Sequence, residues 1–350
     1  MKLDGGGQKF RVRTSAGPKF FDAKKGYVLP HEHILVDLRV YWEGAGQWDE
    51  LDDSDVALTM ATQHAHRRLP QGTTRENLVL ADWYVAAKEL RRAKENGCQL
   101  IVDLTTFGLD PQPVLAVRSC ELAGLPVVLP VGRYLGHALS SEHADLSVSE
   151  LTDHWIEQIE TGLDGLSFGI IGEIGTSAEI TPVEEISVRA AARVQARTGL
   201  PLNIHVDPFG RQGHNVLDLL EQEGAALSKV ALSHCDGDID VEWLATLAAR
   251  GCYVEFDLFG TDHEWTILGR GFNSDVERLN ALARLVELDY LDHLLMSHDI
   301  CMKSALKRYG GWGYGHLGDE ILPALDEQIG MDARIQISAT NPLRHLSTDY

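Results

Sequence analysis

With 350 residues, 44% of them hydrophobic, the chain has material for a large core, yet it holds no apolar run long enough to span a bilayer. Its 52 acidic and 31 basic residues leave a formal net charge of −21, which argues against a nucleic-acid partner because phosphate binding needs a basic surface. The five cysteines are an odd number with no Cys-x-x-Cys pair, so reduced, buried thiols are expected rather than a disulfide framework or a cysteine zinc site.

The N-terminal stretch MKLDGGGQKFRVRT lacks the apolar segment of a signal peptide, which points to the cytoplasm, and residues 1–25 read as a small cap before the first strand. The first apolar run, YVLPHEH (27–33), carries His31 and His33 two residues apart. In a strand, residues i and i+2 share a face, so the two imidazoles stand side by side and can share one metal ion. His64 and His66 have the same spacing, but they sit in a polar segment with helical character, where i and i+2 diverge. The stretch 38–82 is long for a βα connection and reads as short helices over the mouth of the fold.

NLVLADWYVAAKELRRAKENG then repeats apolar residues at helical spacing up to a stop at Gly97. Further strands are expected at 99–106, 126–134, 169–177, 201–207, 229–237, 252–259 and 293–300, eight in all with the first. Helical stretches lie between them. PVEEISVRAAARVQARTG has Pro182 near its start, acidic residues in its first turn and Gly199 past its end. Eight strands each leading into a helix predict an α/β fold, a (β/α)8 TIM barrel over residues 26–350 with long βα loops and no linker dividing it. The rival is a doubly wound sheet; its NAD-binding version would need a Gly-x-Gly-x-x-Gly turn after the first strand, which is missing.

A barrel of this kind carries its chemistry at the carboxyl ends of its strands. His31, His33, Glu173, His205, His234 and Asp299 all fall at or near such ends. Each alone has an ordinary structural reading, as a core histidine, a salt-bridge partner or a helix cap. Together they form a nitrogen and oxygen set suited to zinc, with manganese, cobalt or iron as alternatives. A carboxylate can bridge two such ions, which can hold a hydroxide and polarise the bond it attacks. Asp299 is the candidate proton acceptor, because one oxygen can bind metal while the other takes a proton. His298, beside it, should face away and act structurally. Asp236 and His263 are weaker relay candidates, and Asp236 could equally anchor a loop. For substrate contacts the loops offer Arg133, Tyr134, Arg211, Asp257 and Lys303, the cations being suited to an anionic group or to surface ion pairs. Trp265 and Tyr309 could line an apolar wall or simply be packed.

LPHEH, GIIGEIGTS, NIHVD, LSHCD and LLMSHDI resemble the successive metal-site motifs of the phosphotriesterase family, within the amidohydrolase superfamily. The likeness runs from about residue 11 to ATNPLRHLS, and the last third is most similar to the phosphotriesterase-related branch. The resemblance implies one metal on His31, His33 and Asp299, a second on His205 and His234, and Glu173 bridging them. It departs from members that bridge with a carbamylated lysine, since GIIGEIGTS contains none. A homodimer and a small-molecule substrate are also implied.

The expected activity is hydrolysis of a small carboxylic amide, ester or lactone by a hydroxide held between two divalent metal ions. Phosphotriester hydrolysis is the alternative, and a non-catalytic, metal-stabilised binding protein is a second. A glutamate needs no carbon dioxide to become a ligand. Metal loading should therefore proceed equally well without bicarbonate, and reconstitution that requires bicarbonate would be the opposing result.

Overall fold

Two short strands begin the described chain, β1 (Lys9–Thr14) and β2 (Gly17–Asp22), paired as an antiparallel hairpin. The computed structural model describes residues 8–42, 58–68, 74–261, 264–265 and 270–348. Eight parallel strands follow: β3 (Tyr27–Glu32), β4 (Cys98–Asp103), β5 (Val127–Val131), β6 (Phe168–Thr176), β7 (Leu202–Val206), β8 (Val230–Leu232), β9 (Tyr253–Phe256) and β10 (Leu294–Met296). Each pairs with the next in chain order. The last returns to the first, where Asp299 N–H donates to His31 O at 3.3 Å and His31 N–H donates to Ser297 Oγ at 3.2 Å. The chain forms a (β/α)8 barrel rather than a doubly wound sheet.

Alternation along the strands sorts their side chains into two cores. Leu29, Ile101, Leu129 and Ile171 point outwards and pack under the helices. Their neighbours Val28, Leu100, Val102, Val128 and Ile170 point inwards and fill the base of the barrel. Burial on both faces is why these strands read as continuous apolar runs rather than alternating ones. Phe10, Val12 and Phe21 of the hairpin join the inner cluster, as do Leu343 and Leu346 of the C-terminal helix α1 (Asn341–Leu346). These residues close the base, so the lumen opens only at the other end.

The helix following β6, α2 (Pro182–Thr198), occupies the span its signals predict. Thr181 and Glu184 form a capping box at its start, and Gly199 closes it in the left-handed conformation at φ 67°. The helix expected from residue 77 starts later, at Trp83, because the Asp82 carboxylate caps the Tyr84 and Val85 amides. The residues before it instead form a 3-10 turn and the short strand Val79–Leu80, paired with Val36–Asp37. Within 38–82 the described parts are short, as expected: a 3-10 turn at Arg39–Tyr41 and a helix at Gln63–Arg68 that leaves His64 exposed and His66 buried. The rest of that loop, 43–57 and 69–73, lies outside the described residues.

The five cysteines are unpaired, four of them buried. Among the described residues, no helix is long and apolar enough to cross a membrane.

The base holds one titratable group under strong constraint. His345 is buried, with Nε2 3.3 Å from Leu202 O and 3.2 Å from Lys229 O. Burial, reinforced by the Lys229 ammonium, pushes its pKa down to about 3. As pH falls from 6.5, the unfolded chain takes up a proton that the folded chain refuses until about 3, so stability is lost across that window. In His345→Gln, which retains a donor to those carbonyls, the stability lost between pH 7 and pH 4.5 should shrink by about 2 kcal/mol. Urea unfolding of both proteins at the two pH values checks this; equal losses would contradict it.

Candidate metal centre

At the open end, six side chains from five strands meet around one carboxylate. Glu173 of β6 sits among four imidazoles: His33 Nε2 lies 3.4 Å from Oε1, while His205 Nδ1, His31 Nε2 and His234 Nε2 lie 3.2, 3.5 and 3.6 Å from Oε2. Asp299 Oδ1 completes the group, 3.3 Å from His33 Nε2 and 3.7 Å from His31 Nε2. Glu173 and the four histidines are buried, and the Asp299 side chain is 14% exposed. All six residues singled out from the strand ends are thus brought together.

The regular strands stop short of three of these residues, His33, His234 and Asp299. His234 lies two residues past β8 at φ 57°, and Asp299 three past β10 at φ 50°. The left-handed region is costly for residues with a Cβ, roughly 1–3 kcal/mol each, and it bends the chain out of the ladder. The strands expected to reach 237 and 300 therefore end at Leu232 and Met296. The same bend defeats the alternation argument for Asp236, whose carboxylate turns away to the buried Arg278 at 2.7 Å and accepts the Asp257 and Leu258 amides at 3.2 and 3.1 Å. Asp236 anchors the loop after β9.

A second set of groups orients the histidines from behind. Asp257 Oδ1 is 2.9 Å from His234 Nδ1, and Oδ2 is 3.1 Å from His31 Nδ1. Ser233 Oγ also reaches His31 Nδ1, at 3.0 Å, and donates to Asn203 Oδ1 at 2.7 Å. On His33, Nδ1 meets Thr105 Oγ1 at 3.0 Å, and that hydroxyl donates to Asp103 Oδ1 at 2.7 Å. With the Nδ1 atoms of His31, His33 and His234 engaged, their Nε2 atoms are directed at Glu173. Behind them, Glu255 Oε2 lies 3.6 Å from His31 Nδ1 and accepts from Asn203 Nδ2 at 2.8 Å. The signal for Asp103, Thr105, Ser233 and Glu255 in the sequence is only that polar residues close otherwise apolar strands.

Three groups of donors each lie within 4.8 Å: His31, His33 and Glu173; Glu173, His205 and His234; and His31, His234 and Asp257. The first two share Glu173 and face the open end. The third uses Nδ1 atoms against an Asp257 carboxylate that also accepts the His234 amide at 3.0 Å, so it is the orienting layer. The residues fit divalent cations in the first two. His31 Nε2 is buried without a hydrogen-bond partner. The electrostatics agree. Burial opposes protonation of His33, yet hydrogen bonds to Asp299 and Glu173 outweigh it and raise its pKa to about 9. Burial likewise opposes protonation of His31 and His234, but Asp257 drives both upwards, and the surrounding histidines hold Glu173 well below the usual carboxylate range against its own burial. This cluster demands positive charge.

Above it opens a cavity of about 320 Å³. Leu38, Leu135, Phe209, Phe272 and Met302 form an apolar wall, while Tyr41, Tyr134, Asp207 and Cys301 add polar atoms. Tyr134 OH contacts His205 Nδ1 at 3.2 Å and Tyr41 OH at 2.6 Å. A Cβ on Gly175 would collide with the backbone of Tyr134 and Leu135, so that glycine lets this tyrosine reach the centre. Tyr41 went unnoticed in the sequence.

The other proposed substrate contacts lie elsewhere. Arg133 points away from the cavity and is consumed by Ser187 Oγ at 2.7 Å, Val183 O at 3.0 Å and His143 O. Arg211 pairs on the surface with Asp238 and Asp240, and Lys303 with Glu76. Asp257 is fully buried behind the histidines. In each case a closer partner claims the charge. Tyr309 packs against the helix-side core. His263 and the Trp265 side chain lie outside the described residues.

The family model for the phosphotriesterase family matches residues 11–346. The chain belongs to the phosphotriesterase family. It is a metal-dependent hydrolase. Among family members, it is 32% identical over 311 residues to a phosphotriesterase-related protein of Nematostella vectensis, covering 86% of this chain and 88% of that one. It is 37% identical over 257 residues to the human N-acetyltaurine hydrolase, covering 72% and 74%. The crystal structure of a resiniferatoxin-binding protein from Rhodobacter sphaeroides superposes with a TM-score of 0.89 at 34% identity, covering 96% and 95% of the two chains.

The orienting layer makes a specific demand on this family site. Asp257→Asn should weaken metal retention by roughly 10- to 100-fold, measured by competition with a chromogenic chelator. Retention equal to wild type would show that Asp257 does not align His31 and His234.

Proposed function

We propose that the protein hydrolyses a small carboxylic amide, ester or lactone at a binuclear centre. His31, His33 and Asp299 would hold one divalent ion, His205 and His234 the other, and Glu173 would join them. The observation that carries this reading is the position of Glu173, one carboxylate within 3.6 Å of four imidazoles. Zinc suits the donors, with manganese, cobalt and iron as alternatives.

Bound there, divalent ions supply Lewis acidity and make water acidic enough to attack near neutral pH. The protein's own groups do the rest. Asp299 borders the cavity and is placed to take a proton from the attacking water and return it to the leaving group. Burial raises the pKa of both Tyr134 and Tyr41, so they face the cavity as neutral phenols able to donate to a substrate oxygen. The apolar wall shields the reacting bond from bulk water and suits an acyl chain.

Preference for a carbonyl centre draws support from the human relative, since N-acetyltaurine is a carboxylic amide. The test is metal content by plasma mass spectrometry on wild type and Glu173→Ala, with N-acyl, lactone and phosphotriester substrates measured on the same samples. About two ions per wild-type chain are expected, falling in the variant together with turnover. A kcat/KM for phosphotriesters above that for every N-acyl compound and lactone would reverse the substrate assignment.

A further inference from the structure

Between the two histidines of the first strand lies a carboxylate for which the reaction described above has no use. Glu32 points to the opposite face from His31 and His33 and is fully buried. Its Oε1 accepts from Ser297 Oγ at 2.9 Å, His298 N–H at 3.1 Å and His298 Nδ1 at 2.6 Å. Its Oε2 accepts from Ile300 N–H at 3.0 Å. Every donor comes from 297–300, the segment that carries Asp299. His298 Nε2 accepts the Leu317 amide at 3.0 Å, so its Nδ1 carries the proton and donates it to Glu32.

The arrangement is specific to the conformation of Asp299. In an extended strand, the amides of residues i and i+2 point the same way along the ladder and are too far apart to meet one carboxylate. The left-handed φ of 50° at Asp299 turns the chain so that the amides on either side of it converge on Glu32. Hydrogen bonds to a buried carboxylate are stronger than neutral ones and suit the task of holding a costly backbone bend.

We propose that Glu32 is a positioning residue: it clamps the end of the eighth barrel strand to the first and thereby sets Asp299 against His31 and His33. It acts through Asp299 and touches neither substrate nor metal. The inference rests on the hydrolase reading for its kinetic readout, whereas metal stoichiometry reports on it without turnover.

Glu32→Gln keeps the shape but offers one acceptor oxygen where the donors need two. The expected result on metal-loaded protein is a kcat about 100-fold lower with KM changed less than about threefold. Bound metal should fall from about two ions per chain towards one, through loss of the ion that Asp299 would share. A purely structural role would lower the melting temperature and leave kcat per folded molecule and metal content untouched, which would overturn the proposal. If that variant does not fold, Ser297→Ala removes one donor to Glu32 together with the acceptor of the His31 amide, and a kcat reduced several-fold is expected; an unchanged kcat overturns the proposal. Wild-type protein with neither metal nor turnover would sink the binuclear reading proposed above and the clamp with it, whereas a fully active, doubly loaded Glu32→Gln would sink the clamp alone.

Discussion

A buried carboxylate needs positive charge or several donors beside it, and this protein buries many at one end of its barrel. Glu32 is satisfied by amides, a hydroxyl and an imidazole, and Asp236 by Arg278 and amides. Asp257 is held behind the rings by the His234 amide and two imidazoles, whereas Glu173 faces four imidazoles at the open end. That difference separates the carboxylates that fix the scaffold and the ring orientations from the one at the centre of the donor cluster. It also explains why three histidines lean towards the protonated state: the carboxylates claim positive charge from whatever source lies nearest.

The two ends of the barrel divide the work. The base is closed by apolar packing from the N-terminal hairpin and the C-terminal helix, with one neutral histidine among backbone carbonyls. Such packing is dense and rigid, and it holds the strand ends in register. The open end carries the polar groups in two layers, a set facing the cavity and a set behind it that fixes ring orientation. The cavity wall between them and solvent is largely apolar, which keeps the local dielectric low and strengthens every charge interaction beneath it.

Much of this was legible in the chain. Strand order, the barrel and the six convergent residues follow from apolar runs that end in histidine or carboxylate, because a parallel barrel buries both strand faces and exposes only their carboxyl ends. Legibility failed where local periodicity gives way to tertiary contact. Arg133, Arg211 and Lys303 were sensible anion-binding candidates by residue type, yet each charge is claimed by a partner distant in sequence or in a neighbouring loop. Of the two roles open to Asp236, the bend at His234 removes the relay and leaves the loop anchor, a choice that alternation alone could not make. Tyr41 follows a two-residue strand in a long connection and has no periodic signal of its own.

The sequence by itself determined the class of fold, the types of donor residue and the absence of a lysine from GIIGEIGTS, since those depend on residue identity and on repeats of two or 3.6 residues. Only the tertiary structure decided which side of each imidazole faces inwards, which cations are already paired, and that Glu32, lying between two site histidines, serves the opposite face. The physical reason is that orientation and pairing are set by partners tens to hundreds of residues away, and nothing in a local pattern encodes the distance between them.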